Sequence, residues 1–413
     1  MDRKNKDASP MKTIPGGVCA AKGFTAAGVH CGIRKNKVKK DLALILSDRP
    51  AAAACVYTTN LVQGAPIAVT RAHVQDGYAR AILCNSGNAN TCNADGVEIA
   101  EAMCSLLAAE CGIQPTDVII GSTGVIGQPL PLAPIQAGMP ALVQALGDHS
   151  DDAAEAIMTT DLKKKELAVA FEVEGKTCRL GGIAKGSGMI HPNMATMLVF
   201  LTTDVAIDPQ MLHKALLGDV QDTFNMISVD GDTSTNDMVS ILANGAAENP
   251  IIQGPGPGYT AFCQALRQVT AYLCRSIAKD GEGATKLIEC HVVGADSRDT
   301  ARTAAKAVVC SNLFKAAMFG ADANWGRVLC ALGYSGAPLD MGRVDVQFTS
   351  QAGTVAVCKD GAGIPFSEEA AKAVLSQDEI RVEIQLNSGA CEATAWGCDL
   401  TYDYVKINGD YRT

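Results

Sequence analysis

The chain of 413 residues has no apolar run that approaches the roughly 18 to 20 residues of a membrane span. Positive charge is also scarce, because 35 Lys and Arg residues stand against 44 Asp and Glu residues, a formal net charge of −9. Recognition of nucleic acids and anionic membranes depends on clustered positive charge. We therefore expect no nucleic-acid and no membrane partner. The two basic runs, Arg34 to Lys40 and Lys163 to Lys165, are interpreted as solvated faces.

The sequence also lacks the motifs of metal and nucleotide sites. Its 16 cysteines form no CxxC pair and its six histidines form no HExxH or HxxxH pair, whereas tetrahedral zinc sites usually draw on closely spaced ligands. The sequence Gly175 to Thr177 reads Gly-Lys-Thr, but Ala170 stands where a phosphate-binding loop needs its first glycine. We expect no metal, no nucleotide cofactor and reduced, mostly buried cysteines.

What the chain does contain is an alternation of short apolar strands and helices. A hydrophobic share of 47%, an aromatic share of 5% and 40 glycines are typical of a layered α/β protein with tight turns. Apolar runs between turn residues predict buried strands at Asp41 to Asp48, Ala81 to Cys84 and Asp117 to Ile120. The pattern predicts an α/β fold with α+β layers and two lobes, the second from about residue 295 to 400.

No apolar segment of signal-peptide length follows the first residues. We therefore expect a cytoplasmic protein. The sequence leaves open whether Met1 or Met11 is the natural start.

Two of the predicted strands end in loops of small polar residues. Residues 85–90 read NSGNAN and residues 121–124 read GSTG, and a third polar loop, residues 230–237, reads DGDTSTND. Ligands commonly bind at strand ends in α/β layers, since backbone N–H groups and short side chains converge there. These loops are therefore candidates for a binding site.

A glycine-rich segment from Lys185 to Ala195 precedes a predicted strand that begins at Thr196. A threonine in this position is usually structural. If the bond between Ala195 and Thr196 were cleaved, however, Thr196 would carry a free α-amine beside its own hydroxyl. Such an amine, with a pKa of roughly 8, can accept the hydroxyl proton. Thr196 is thus a candidate nucleophile, and Thr123 and Gly124 are candidate donors to an oxyanion.

Two charged residues are further candidates. Lys185 offers a positive charge to a substrate carboxylate or carbonyl. Glu282 offers a negative charge to a substrate ammonium group or to the Thr196 amine. The alternative for either residue is an ordinary surface ion pair.

Residues 185–201, KGSGMIHPNMATMLVFL, closely resemble the self-cleavage region of the ornithine acetyltransferase family. The resemblance extends over nearly the whole chain. Further matching segments are 23–30 (GFTAAGVH), 85–90, 121–124, 158–161 (MTTD), 230–237, 280–286 (DGEGATK), 320–327 (GADANWGR) and 404–413 (YVKINGDYRT).

The resemblance implies a precursor that cleaves itself between Ala195 and Thr196. An α chain of residues 1–195 and a β chain of residues 196–413 would remain in one fold and assemble as an α2β2 heterotetramer. Thr196 would take the acetyl group from N-acetylornithine, release ornithine and pass the group to glutamate, as a glutamate N-acetyltransferase of arginine biosynthesis. The family's oxyanion role falls on Thr123 and Gly124. Its substrate contacts fall on Thr159 or its neighbour Thr160, Lys185, Thr196, Glu282, Asn408 and Thr413.

Two alternatives remain open at this point. An N-terminal-nucleophile amidase or aminopeptidase would resolve the acyl-enzyme with water instead of glutamate. A non-catalytic amino-acid-binding protein would use the loops at residues 85–90 and 230–237 without self-cleavage. The sequence also leaves open whether acetyl-CoA serves as a second acetyl donor.

Overall fold

The structure is a computed structural model that describes residues 11–35, 38–191 and 197–410. Within these ranges the chain forms sixteen strands and eleven α-helices. The strands are β1 (Lys12–Ile14), β2 (Phe24–Val29), β3 (Leu42–Tyr57), β4 (Tyr78–Asn88), β5 (Val118–Val125), β6 (Lys165–Val173), β7 (Lys176–Lys185), β8 (Leu198–Thr203), β9 (Ile227–Ser228), β10 (Met238–Ala243), β11 (Leu287–Ala295), β12 (Asp345–Ser350), β13 (Gly353–Lys359), β14 (Ala362–Gly363), β15 (Glu379–Gln385) and β16 (Cys391–Cys398). The helices are α1 (Ala65–His73), α2 (Gly96–Cys111), α3 (Leu132–Gln144), α4 (Ser150–Ala156), α5 (Pro209–Val220), α6 (Pro257–Lys279), α7 (Arg298–Cys310), α8 (Asn312–Phe319), α9 (Trp325–Gly333), α10 (Glu368–Leu375) and α11 (Tyr402–Asp410).

Nine of the described strands form a mixed sheet in the order β1-β6-β7-β8-β10-β3-β4-β5, with β2 also paired to β3. The pairs β4–β5 and β8–β10 are parallel, and β7 runs antiparallel to β8. Seven other described strands form a second sheet in the order β14-β13-β12-β15-β11-β16-β9. The prediction of layered α/β architecture is confirmed.

Strand β3 is twice as long as the sequence predicts. Its first part, residues 42–46, pairs with β2 and β4, and its last part, residues 52–57, pairs with β10. The register with β4 shifts between Leu46 and Ala51, and this irregularity accommodates Pro50, which lacks an N–H donor. The alanine-rich second part has little strand propensity of its own, so its partner strands, and not its side chains, make it a strand.

Helix α6 joins the two sheets and leads into the site. Pro257 occupies its first turn, where the missing N–H costs nothing. Its buried residues recur every three or four positions, the spacing of one helix face. They include Phe262, Leu266, Val269, Leu273 and Ile277. They belong to one apolar core with residues from both sheets, such as Val199 in β8 and Val292 in β11.

The predicted second lobe, from about residue 295 to 400, contributes β12 to β16 to the second sheet, which also includes β9 and β11. The predicted chain boundary between Ala195 and Thr196 lies outside the described residues.

All 16 cysteines are free thiols and eight of them are buried. In the described part of the chain, no group of three or more His, Cys, Asp or Glu side chains is arranged to hold a metal ion. Among the described helices, none combines the length and the apolar character needed to cross a membrane.

Candidate active site

Seven of the residues predicted for the site line one cavity of about 160 Å³. They come from distant parts of the chain, so only the fold brings them together. They are Thr123, Gly124, Thr159, Thr160, Lys185, Glu282 and Asn408. The three other predicted site residues, Ala195, Thr196 and Thr413, lie outside the described residues.

The side chains of Thr123 and Lys185 are in contact in the cavity lining. Thr123 lies near the end of β5 and Lys185 ends β7, strands that are not neighbours in the sheet. The Lys185 Nζ donates to Thr123 Oγ1 at 3.3 Å, and both side chains are buried. A hydroxyl that accepts one hydrogen bond still has its own proton to donate. The Thr123 O–H is therefore available for a substrate oxygen.

The position of Gly124 admits no other residue. Its φ of +132° lies in a region that residues with side chains avoid, and a Cβ atom would lie 2.4 Å from the backbone carbon of Gly87 and 2.5 Å from the nitrogen of Asn88. The register between β4 and β5 is irregular at this point. The close approach of two strand ends thus shapes the backbone beside Thr123.

Glu282 and Asn408 form another part of the lining. The Asn408 Nδ2 donates to Glu282 Oε2 at 2.8 Å, and the Glu282 backbone N–H donates to the Ser187 carbonyl at 2.8 Å. A Cβ atom on Gly188 would lie 2.4 Å from the Glu282 carboxyl group, so this glycine allows the carboxylate to reach the cavity. The C-terminal helix α11, which carries Asn408, is therefore part of the site.

A buried ionic cluster holds backbone segments that contribute to the cavity lining. The Lys165 Nζ donates to Asp161 Oδ1 at 2.7 Å and to Asp280 Oδ2 at 2.6 Å, and its side chain is 1% exposed. Asp161 also accepts from the backbone N–H groups of Thr159 at 3.0 Å and Gly186 at 2.7 Å. The cluster thus ties three parts of the lining together. The interpretation of the run Lys163 to Lys165 as a solvated face is wrong for Lys165, because two buried carboxylates compensate its charge.

The charges of this cluster shift the pKa of Asp161. Burial by itself raises the pKa of this carboxyl group, but the positive charges of Lys165 and Lys185 and the hydrogen bonds from Lys165 and Gly186 lower it to about 2. Asp161 therefore stays ionised over the whole physiological pH range.

A smaller recess of about 30 Å³ adjoins the cavity and shares Thr123 and Lys185 with it. Met197 and Leu198, the first described residues after Thr196, also line it. Asp237 lines it too. The segment that follows the candidate nucleophile thus borders the candidate oxyanion donor.

The cavity is also lined by residues that the sequence analysis did not name individually, and most of them belong to the polar loops. Asn236 donates from Nδ2 to the Ala89 carbonyl at 2.5 Å and to the Ser122 carbonyl at 3.1 Å. It joins the three loops that the sequence marked as candidates, and it lines both the cavity and the recess. Polarity at strand ends indicated the loops, but it did not single out this residue.

Three kinds of comparison relate the chain to known proteins. The ArgJ family model matches residues 25–413. The Arginine biosynthesis bifunctional protein ArgJ of Symbiobacterium thermophilum is 53% identical over 406 residues, which cover 98% of this chain and 100% of the relative.

Two solved structures are also similar. The crystal structure of the Arginine biosynthesis bifunctional protein argJ from Bacillus halodurans has a TM-score of 0.50 and 46% identity, and the match covers 52% of this chain and 100% of that chain. Ornithine acetyltransferase from Mycobacterium tuberculosis, solved in complex with ornithine, has a TM-score of 0.42 and 35% identity over 45% of this chain and 100% of that chain.

Proposed function

Because the chain belongs to the ArgJ family, we propose that it transfers the acetyl group of N-acetylornithine to glutamate through an acetyl ester on Thr196. The products are ornithine and N-acetylglutamate, and the reaction belongs to arginine biosynthesis. The observation that carries the proposal is the convergence of seven predicted contact residues on one cavity.

Self-cleavage between Ala195 and Thr196 is the first step of the proposal. Met197 and Leu198 border a recess that also contains Thr123, which supports a reacting group at the residue before them.

In the transfer itself, the free α-amine of Thr196 takes the proton of its own hydroxyl, and the hydroxyl oxygen attacks the acetyl carbonyl. The negative charge that develops on the carbonyl oxygen is stabilised by the Thr123 O–H and the Gly124 N–H. Lys185, which donates to Thr123 Oγ1, adds a positive charge near this oxygen. Ornithine leaves as the C–N bond breaks, and the Thr196 ammonium group returns its proton to the departing amine. The amine of glutamate then attacks the acetyl ester, the ester C–O bond breaks, and the proton that the glutamate amine loses passes through the Thr196 α-amine to the Thr196 oxygen.

Both amino acids must be held in the same cavity, since the acetyl ester forms and breaks at one place. The lining offers one charge of each sign, the Lys185 ammonium and the Glu282 carboxylate, with the Asn408 amide beside Glu282. We assign Lys185 to a substrate carboxylate and Glu282 to a substrate ammonium group. Thr159 and Thr160 add two hydroxyl groups to the lining.

The test of the proposed function is to incubate the protein with N-acetylornithine and weigh its fragments by mass spectrometry. We expect one added acetyl group on the fragment that begins at Thr196, and N-acetylglutamate once glutamate is supplied. Free acetate without N-acetylglutamate would instead identify the amidase, and unchanged ligand with an intact chain would identify a binding protein.

The same assay with acetyl-CoA in place of N-acetylornithine tests the second donor. Transfer to glutamate marks the enzyme as bifunctional, and absence of transfer marks it as monofunctional.

We propose an α2β2 assembly of the two fragments, which the mass of the native complex tests.

Replacement of Thr123 with valine tests the oxyanion role. Valine keeps the shape of threonine but removes the hydroxyl, so we expect kcat to fall about 100-fold while KM for both substrates changes little. Steady-state kinetics measure both constants. Thr270→Val is the control, since it removes a buried hydroxyl in α6 that bonds to helix carbonyls and to the Asp219 carboxylate, none of which lines the cavity. Equal kcat values in the two variants would contradict the assignment.

A further inference from the structure

The recess beside the cavity contains a carboxylate that the proposed mechanism does not use. Asp237 is 3% exposed and lines the recess. Its Oδ2 atom is buried and has no hydrogen-bond partner. A buried polar oxygen without a partner is costly, so this atom is a candidate for contact with a ligand.

The register of the sheet places Asp237 beside the start of β8. Met238, the first residue of β10, pairs in parallel with Leu198, and its N–H donates to the Met197 carbonyl at 2.9 Å. Asp237 comes directly before Met238 and therefore lies next to Met197. The unpartnered carboxylate thus borders the strand that follows the proposed cleavage point.

A cation in the recess would stabilise the charged form of Asp237, which burial by itself disfavours. Burial raises the pKa of this carboxyl group well above its ordinary value, and the hydrogen bond with Ser234 and the positive charge of Lys185 oppose that rise. Among the described residues, no cation forms an ion pair with Asp237, and Lys185 directs its Nζ to Thr123 at 3.3 Å. The positive charge of Lys185 would repel any cation that enters the recess, and the negative charge of the Asp237 carboxylate would offset this repulsion.

The dimensions of the recess set the size of the ligand. Its volume of about 30 Å³ is that of a site for one small group. A primary ammonium group has three N–H donors, and the recess offers acceptors in the Asp237 carboxylate and the Ser234 and Thr123 hydroxyls.

We propose that the recess is a binding site for a primary ammonium group, with the Asp237 carboxylate as its counterion. The inference rests on the proposed function, which supplies this chemistry from two sources. One source is the α-amine freed at Thr196, and the other is an ammonium group of ornithine, which has two such groups and needs a second carboxylate besides Glu282. Asp237 is a positioning residue in the first case and a substrate contact in the second.

The first arm of the test measures the freed amine. The rate at which cyanate carbamylates the α-amine of Thr196 is followed against pH by mass spectrometry in the cleaved wild type and in Asp237→Asn. Loss of the carboxylate leaves Lys185 unopposed, so we expect the midpoint of the profile to fall by at least about one pH unit. Lys185 on β7 is the charged side chain that faces Asp237, and Glu282 lines the adjoining cavity. Both are unchanged in the variant.

Asp232→Asn is the matched control for this arm, because Asp232 is exposed in the same loop, and its midpoint should equal that of the wild type. If Asp237→Asn is not cleaved, Asp237→Glu replaces it. The longer side chain retains the charge but moves it, and we expect a smaller shift in the same direction.

The second arm measures ornithine binding by calorimetry in the Thr196→Ala background, in which no amine is freed. If the recess holds an ornithine ammonium group, addition of Asp237→Asn weakens binding at least about tenfold, whereas addition of Asp232→Asn does not.

The combined results decide both the site and its source. An effect in the first arm alone identifies the freed amine, and an effect in the second arm alone identifies the substrate. Unchanged midpoints together with unchanged ornithine affinity overturn the inference. An uncleaved wild-type chain refutes the proposed function instead, and the second arm then decides the recess by itself.

Discussion

We expect Thr196→Ala to remain a single uncleaved chain and to lose acetyl transfer by at least about 1,000-fold. Alanine has no hydroxyl, so it can neither attack the preceding carbonyl during self-cleavage nor carry an acetyl group afterwards. Gel electrophoresis under denaturing conditions shows the chain length, and the formation of N-acetylglutamate from N-acetylornithine and glutamate measures the activity.

Thr196→Ser is the matched control for this prediction. Serine keeps a hydroxyl and, once the bond is cleaved, an α-amine on the same residue. We expect two fragments and readily measurable transfer from this variant. A Thr196→Ala protein that is cleaved at the same bond, or that transfers acetyl groups at the wild-type rate, would refute the proposed mechanism.

Lys165→Met should destabilise the folded protein by about 3 to 5 kcal/mol. Methionine fills a similar volume but removes the charge that compensates Asp161 and Asp280, so two buried carboxylates are left without their cation. Chemical denaturation followed by circular dichroism measures the free energy of unfolding. Because Asp161 also holds the N–H groups of Thr159 and Gly186, we expect lower activity in the folded fraction as well.

The same basic run provides the control. Lys164 is partly exposed and pairs with the exposed Asp151, and exposed pairs contribute little. Lys164→Met should therefore change the free energy of unfolding by less than about 1 kcal/mol. Equal stability of the Lys164→Met and Lys165→Met proteins would show that the buried cluster does not stabilise the fold.

The cluster also predicts how stability depends on pH. The pKa of Asp161 is about 2 in the folded protein and about 4 in an unfolded chain. A lowered pKa contributes stability that is complete above the unfolded value and is lost as pH falls from about 4 towards 2. We expect the wild type to lose this contribution between about pH 4 and pH 2, and Lys165→Met to lose less of it, because its Asp161 no longer has the Lys165 charge.

Local sequence patterns predict several features of the candidate site. Strand ends followed by small polar residues indicated the loops at residues 85–90, 121–124 and 230–237, and these loops meet at Asn236. The motif around Thr196 and its resemblance to a known family indicated the chemistry, and the match of the ArgJ family model confirms the resemblance. The site residues themselves remain predictions that the experiments above test.

Other features do not follow from local patterns. The second part of β3 is alanine-rich and became a strand because β10 pairs with it. Lys165 carries the same charge as its neighbours in the run, yet it is buried because Asp280, 115 positions away, reaches it. The partnerless oxygen of Asp237 is likewise a property of its surroundings and not of its sequence neighbours.

The sequence by itself determined the layered α/β class, the polar strand ends and the threonine proposed as nucleophile, because turns, strand periodicity and short motifs depend on adjacent residues. Only the tertiary structure decided which charges are buried, which are compensated and which face the recess. Burial and charge compensation depend on residues distant in the chain. The burial of Lys165 and the unpartnered oxygen of Asp237 are therefore properties of the folded molecule alone.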